Sequence, residues 1–356
     1  MASSMPQKAH LECLDLGGGR RVELVDVLGK GAFAVAYRGR LVMPNGVKRP
    51  VAVKLFASVS SDEAEQVLAR VTRTARRMAW VEHPNVVRVY ECGAQRGQPY
   101  LIEELVSGVS LARLQEAYTS KQRRMPLDLA LFVAAEVAEG LAGARLARDQ
   151  DGVQLGMIHH GLSVREVLLS WRGEVKVSGF EASTARAATS SVRSLRGMAT
   201  QATSMAPEVA RGFPADARSD VFSFGVLLRE LLIGPRFPAG LTSSEAIRLA
   251  REGYVQPMTF QPHLPAGLEN VLQRALAIDA ESRYPSACAM AFDLRRVVLS
   301  MGVGDGRYFL RSALERDWVE HADEITAPTS FPRFEEAAPA REGEVVSLDY
   351  REKRRR

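Results

Sequence analysis

The strongest constraint on the fold is a change of hydrophobic period near residue 106. Before it, apolar residues come in short alternating runs: Arg21–Leu28, Val35–Leu41, Pro50–Phe56, Val86–Glu91 and Tyr100–Leu105. Alternation with period two sends every second side chain to one face, as in half-buried strands. Asn45-Gly46, between the second and third runs, suits the positive φ values of a tight hairpin turn. One helical stretch interrupts them, Ser60–Trp80, with Val67, Leu68, Val71, Ala75 and Met78 spaced for one apolar face. After about Gly108 helical spacing dominates: Leu127–Leu146, Asp220–Leu232, Leu268–Leu276 and Ser286–Val298. Strands first and helices afterwards predict an α+β fold in two lobes, each with its own core.

Residues 1–20, ending in Gly17-Gly18-Gly19, read as a loose leader. A main domain over 21–300 divides into an N-terminal lobe of about 21–106 and a C-terminal lobe of about 107–300. A C-terminal helix is expected within 301–322, and 323–356, rich in Pro, Ala, Glu and Arg without periodicity, is expected to be disordered. Apolar residues make up 46% of the chain, ample for a core of this size. The net charge of +5 owes much to Arg351–Arg356, so a nucleic-acid partner is not indicated. Cys13, Cys92 and Cys288 have neither metal-ligand spacing nor the pattern of a disulfide framework, and read as reduced thiols. Met1–His10 lacks a signal peptide's apolar run, and Val221–Gly234 is short and broken by Arg229 and Glu230. A cytoplasmic protein without a membrane span is expected.

Gly29-Lys30-Gly31-Ala32-Phe33-Ala34-Val35 leaves one expected strand and enters the next. Glycines there let backbone N–H groups approach phosphate oxygens, although a plain hairpin explains such a loop equally well. Val51-Ala52-Val53-Lys54 follows, then His83-Pro84-Asn85, Met157–Leu169, Val177-Ser178-Gly179-Phe180-Glu181, Ala206-Pro207-Glu208, Asp220–Gly225 and Arg283. In content, order and spacing these segments resemble the bacterial Hanks-type Ser/Thr protein kinase family over roughly residues 21–300. The resemblance implies a bilobal kinase-like fold with a small β-rich lobe and a larger helical lobe. It implies a nucleotide site at Gly29, Gly31, Ala52, Lys54, Glu104 and Val106, with Lys54 toward the α- and β-phosphates. It also implies that Glu208 pairs with Arg283, and that Met78, His159, Phe180 and Asp220 pack or anchor the catalytic loop.

The residues that would perform phosphoryl transfer depart from the family pattern. Thr74 stands where a glutamate should hold the lysine; Glu63, Glu65 and Glu82 are off its helical turn. Gly161 replaces the catalytic aspartate and Glu166 the metal-binding asparagine. Gly179 replaces the magnesium aspartate, Phe180 is kept, and Glu181 replaces the following glycine. Such chemistry rests on positioning and charge stabilisation, so these losses remove most of it. Glu166 and Glu181 could ligate magnesium only if an active alternative holds. His160 in place of arginine weakens any hold on a phosphorylated loop. Ala34 crowds the phosphate loop, and Glu103 falls at the back of the adenine pocket, where pairing with Lys54 would close the site.

The resulting expectation is a catalytically impaired pseudokinase that requires no cofactor and acts as a scaffold or regulator. ATP binding stays open and magnesium loses its main ligand. The expected partner is a protein, an active kinase or another signalling protein. The alternatives are an active Ser/Thr kinase using non-standard residues and a sensor of another small ligand. Ser183–Ser204, rich in Ser and Thr among Arg186, Arg193 and Arg196, reads as a flexible polar loop or as a target of another kinase.

Overall fold

The computed structural model describes residues 13–31, 34–56, 61–95, 98–181, 202–257 and 264–318. An antiparallel six-stranded sheet runs in the order β1-β2-β3-β4-β6-β5. Its strands are β1 (Cys13–Gly17), β2 (Arg20–Lys30), β3 (Ala34–Val42), β4 (Lys48–Phe56), β5 (Val89–Gln95) and β6 (Gln98–Glu104). Helix α1 (Ser61–Met78) lies between β4 and β5 in sequence. The Asn45-Gly46 hairpin forms, with Gly46 at φ +81° and its N–H donating to the Met43 carbonyl.

The sheet extends further toward the N-terminus than the alternating runs suggest. Cys13–Gly17, expected to belong to the leader, is a strand that pairs with β2, Cys13 opposite Glu23. Gly17, Gly18 and Gly19 carry φ values of +75°, +60° and +74°, so the triplet is the turn joining the two strands. Val86, expected to open a strand, makes only an isolated bridge to Val177; β5 starts at Val89.

Period two sorts the residues of β4 and β6. Val51, Val53 and Leu55 pack with Tyr100, Ile102, Leu14, Val22 and Leu24 into one small core. Ala52 and Lys54 face the opposite side, as do Leu101 and Glu103, which stand across from Lys54 and Ala52 on the neighbouring strand. On that side Val71, Ala75 and Met78 of α1 join Phe56 and Leu101 in the main core.

The C-terminal part comprises α2 (Leu111–Ser120), α3 (Leu127–Leu146), a single turn α4 (Pro207–Ala210), α5 (Ala217–Leu232), α6 (Ser243–Glu252), α7 (Ala266–Ala275), α8 (Ala287–Ser300) and α9 (Gly306–Asp317). A small sheet of β7 (Gly108–Ser110), β8 (Val167–Ser170) and β9 (Val175–Val177) accompanies them. This is the two-part kinase architecture, a sheet-rich region followed by a helical one. Among the described residues no helix is long and apolar enough to cross a membrane.

Two polar joints hold the helical region. The His83–Asn85 turn meets α3 at Gly140, where a Cβ would stand 2.7 Å from the Asn85 carbonyl oxygen. That contact lets Asn85 Nδ2 donate to Glu136 and to the Val175 carbonyl, at 2.8 and 3.0 Å. The second joint is Arg283 on Glu208, a two-pronged pair at 2.8 and 2.9 Å, supported by Ser219 Oγ at 2.9 Å. The Arg283 side chain is fully buried and also donates to the carbonyls of Ala277, Arg218 and Ile278. Burial alone would raise the Glu208 pKa, but the Arg283 hydrogen bonds hold it below the usual carboxylate range.

Removing Arg283 leaves a half-buried carboxylate and three carbonyls without their donor. Arg283→Ala is expected to lower the unfolding free energy by about 2–3 kcal/mol. Urea denaturation at unchanged m-value checks it, and an unmoved midpoint contradicts it.

Candidate functional site

β4 directs Lys54 into the space beneath the sheet, and two carboxylates meet it there. Lys54 Nζ lies 2.8 Å from Glu103 Oε2 and 2.5 Å from Glu181 Oε1. Glu103 and Glu181 are 3% and 2% exposed, so this is an internal ion cluster with two negative charges around one positive. Burial pulls the Lys54 pKa down, but both carboxylates raise it further, and the net shift is upward. Burial pushes both acids up; the Lys54 ammonium overrides it for Glu181, whose pKa is lowered. For Glu103, burial and the charge of Glu181 prevail over Lys54, and its carboxyl is pushed up to about 7. A proton that relieves the cluster's excess negative charge therefore goes to Glu103.

The other expected nucleotide contacts are distributed around this cluster. Gly29 pairs with Ala36, and the Gly31 N–H donates to the Ala34 carbonyl at 2.8 Å, while residues 32–33 at the loop tip lie outside the described residues. Ala52 is half-buried opposite Glu103. Glu104 turns away to Lys176, 3.0 Å distant, and Val106 is half-buried in the connection to β7. Thr74 is buried on α1 in the turn where a lysine-holding glutamate was expected. Glu82 is engaged by Arg88 at the surface; the side chains of Glu63 and Glu65 lie outside the described residues.

The segment expected to carry catalysis is well anchored. Asp220, in the first turn of α5, accepts the backbone N–H groups of His159 and His160 at 2.6 and 2.9 Å. His160 takes a left-handed φ of +64°. Burial pushes the Asp220 carboxyl up to about 7 against those two donors. His159 Nε2 is 2.8 Å from the Ser178 carbonyl, and its ring lies 4.6 Å from that of the fully buried Phe180. Met78 and Phe180 share the main core.

What this anchored frame carries is chemically sparse. Gly161, next to His160, offers no side chain. Glu166 accepts the backbone N–H and hydroxyl of Ser163 at 3.0 and 2.5 Å. Gly179 has φ +91°, and a Cβ there would come within 2.9 Å of Glu166 Cγ. An aspartate at 179 would thus require Glu166 to move. Among the described residues no group of three or more His, Cys, Asp or Glu side chains is placed to hold a metal ion. Glu166 and Glu181 are turned to different partners, Ser163 and Lys54.

The family model described as "Protein tyrosine and serine/threonine kinase" matches residues 22–292. The chain belongs to the protein kinase family. Its curated relatives include the tyrosine-protein kinase MasK of Myxococcus xanthus, 28% identical over 92% of this chain and 51% of MasK. The serine/threonine-protein kinase PksC of Streptomyces coelicolor is 32% identical over 80% of this chain and 50% of its own length. PknB of Mycobacterium leprae is 31% identical over 78% and 43%. The chain spans about half the length of these relatives. Among solved structures, the PknI kinase domain of Mycobacterium tuberculosis aligns with 78% of this chain and 96% of that domain at a TM-score of 0.55 and 22% identity, a likeness of fold.

Sequence reasoning anticipated a Lys54–Glu103 contact but assigned Glu181 only to a metal. The signal for its second role is a lysine without a helical glutamate, which needs another buried acid within reach. Glu103 also sets a pH dependence. Its folded pKa of about 7 exceeds the ordinary 4.5, so the folded protein binds more protons between these values. The stability this carboxyl contributes is complete below pH 4.5 and is lost as pH rises through 7. Across that window Glu103→Gln should gain on wild type by about 1.4 kcal/mol per pH unit. Denaturation curves at several pH values check this; parallel profiles contradict it.

Proposed function

We propose that this kinase-family chain is a pseudokinase, a scaffold or regulator that works by binding another signalling protein rather than by transferring phosphate. The observation that carries the reading is the closed ion cluster: Lys54 is held by Glu103 and Glu181 inside the chain. A nucleotide phosphate would have to displace buried carboxylates that already satisfy the ammonium. Gly161 and Gly179 supply neither a base for a substrate hydroxyl nor a ligand for magnesium, and Glu166 is drawn to Ser163. Against these losses, the anchoring contacts of Asp220, His159, Phe180 and the Glu208–Arg283 pair keep the domain's shape. A retained internal frame around a stripped site fits binding better than turnover. The partner we propose is an active kinase or another signalling protein.

A thermal-shift titration with ATP, with and without magnesium, on wild type and Lys54→Ala tests this. The expected outcome is no nucleotide-dependent shift in wild type under either condition. A magnesium-dependent rise in Tm that disappears in Lys54→Ala, together with ATP consumption, would overturn the proposal in favour of an active Ser/Thr kinase.

A further inference from the structure

The outer face of α1 carries a pattern that the Lys54 site does not use. Arg70, Arg73 and Arg77 recur at spacings of four and three, and Trp80, just past the helix end, continues the line. All four are exposed, on the side opposite the buried Val71, Ala75 and Met78. No acid stands three or four places from any of these arginines, and none of them forms an ion pair among the described residues. Arg77 donates only to the neutral Leu155 carbonyl. Like charges at this spacing repel and weaken the helix unless something answers them. Trp80 opens onto a groove of about 610 Å³ between the ends of α1 and α3, walled by Ala79, Gly143, Leu146 and Ala147. Trp80 is 46% exposed and Leu146 56%, so two large apolar side chains face water in one groove. The charged groups at its edge are Arg148, which donates to the Gly152 carbonyl, and Glu82, which Arg88 engages. In the loop after α3, Asp149 accepts the N–H groups of Asp151 and Val153, and Asp151 is exposed at the tip.

We propose that this face is the docking site of the acidic segment Glu320–Glu336 of the same chain, with Phe331 and Phe334 in the groove. That segment lies outside the described residues. It carries Glu320, Asp323, Glu324, Glu335 and Glu336 against the single Arg333, a charge opposite to that of the stripe. Its two phenylalanines, three places apart, bring apolar partners to a groove that leaves Trp80 and Leu146 uncovered. The chain also reaches. Helix α9 starts against Phe132 of α3, where Gly306 meets that ring, and Trp318 after it rests on Trp171 at 6.3 Å. From Phe132 to Leu146, α3 covers about 21 Å. The stretch from Trp318 to Phe331 extends to roughly 43 Å. A tethered segment acts at an effective concentration on the order of millimolar, so modest contacts suffice to seat it. Nucleic acid would answer the arginines but offers Leu146 and the two alanines no apolar partner. Docked there, the segment covers the solvent face of the helix whose inner face carries Thr74, and a protein partner gains that surface only when the segment leaves. The site uses none of the residues around Lys54, so it stands whether or not the chain transfers phosphate.

The test compares the full chain with a full-length variant carrying Phe331→Ser and Phe334→Ser, which frees the groove. Fluorescence anisotropy follows a labelled peptide of residues 319–336 added to each. The variant is expected to bind the peptide about tenfold or more tightly than wild type, whose groove is filled from its own chain. Trp80→Ala and Arg73→Glu, each added to that variant, should weaken binding about tenfold. Both positions are exposed, so an unchanged Tm is expected with the loss. A peptide that itself carries Phe331→Ser and Phe334→Ser should not bind, a control that no folding defect of the protein can mimic. Phosphatidylserine vesicles and a single-stranded oligonucleotide, as competitors, should displace the peptide poorly. Equal peptide affinity for wild type and variant, no binding to either, or binding indifferent to both Trp80→Ala and Arg73→Glu would overturn the proposal. So would stronger binding of vesicles or oligonucleotide to this face, or a wild-type dimer in sedimentation that the two phenylalanine substitutions dissolve.

Discussion

A lysine ammonium pressed beneath a sheet cannot stay without negative partners, because an unpaired buried charge costs several kcal/mol. The strand pattern forces that situation here: with Val51, Val53 and Leu55 committed to the small core, Lys54 must face the other way. Its partners come from two distant places. Glu103 arrives through the register of β6 against β4, and Glu181 through the segment following β9. The cluster therefore ties the sheet to the helical region through one nitrogen atom. Because Glu181 adjoins Phe180, holding it also seats Phe180 against His159, whose backbone is in turn gripped by Asp220. Charge at one end and ring packing at the other fix the same short segment.

That arrangement is over-supplied with negative charge, and the surplus gives it character. Three groups in a low-dielectric space share a net charge of one, which water or a proton relieves more readily than a rearrangement of packed strands. The pair of Arg283 and Glu208 behaves differently. Its charges balance, Arg283 is saturated with carbonyl acceptors, and the carboxylate stays ionised. One ion site is a fixed rivet, and the other is held short of full ionisation near neutral pH.

Much of this architecture was legible in the residues. The alternating runs placed β2, β3, β4 and β6, and 3.6-residue spacing gave α3 its bounds at Leu127 and Leu146. Short or mixed segments escaped. β1 carries only Leu14 as a deeply buried anchor and ends in glycines, so nothing local marks it as a strand before β2 pairs with it. α2 and α6 are ten-residue helices, identified in the structure by their caps, Ser110 and Thr242, rather than by a long apolar stripe. The direction of Glu181 was not legible because it depends on the turn after Gly179 and not on any period. The Ser183–Thr200 part of the polar segment and the 323–356 tail lie outside the described residues.

Glu166 and Gly179 fit each other closely. The glycine takes a positive φ of +91°, and the glutamate's stem occupies the space a new side chain would need. Each residue thereby limits what the other position can hold. A side chain added at 179 requires the one at 166 to shift or shorten, so the two positions are coupled rather than independent.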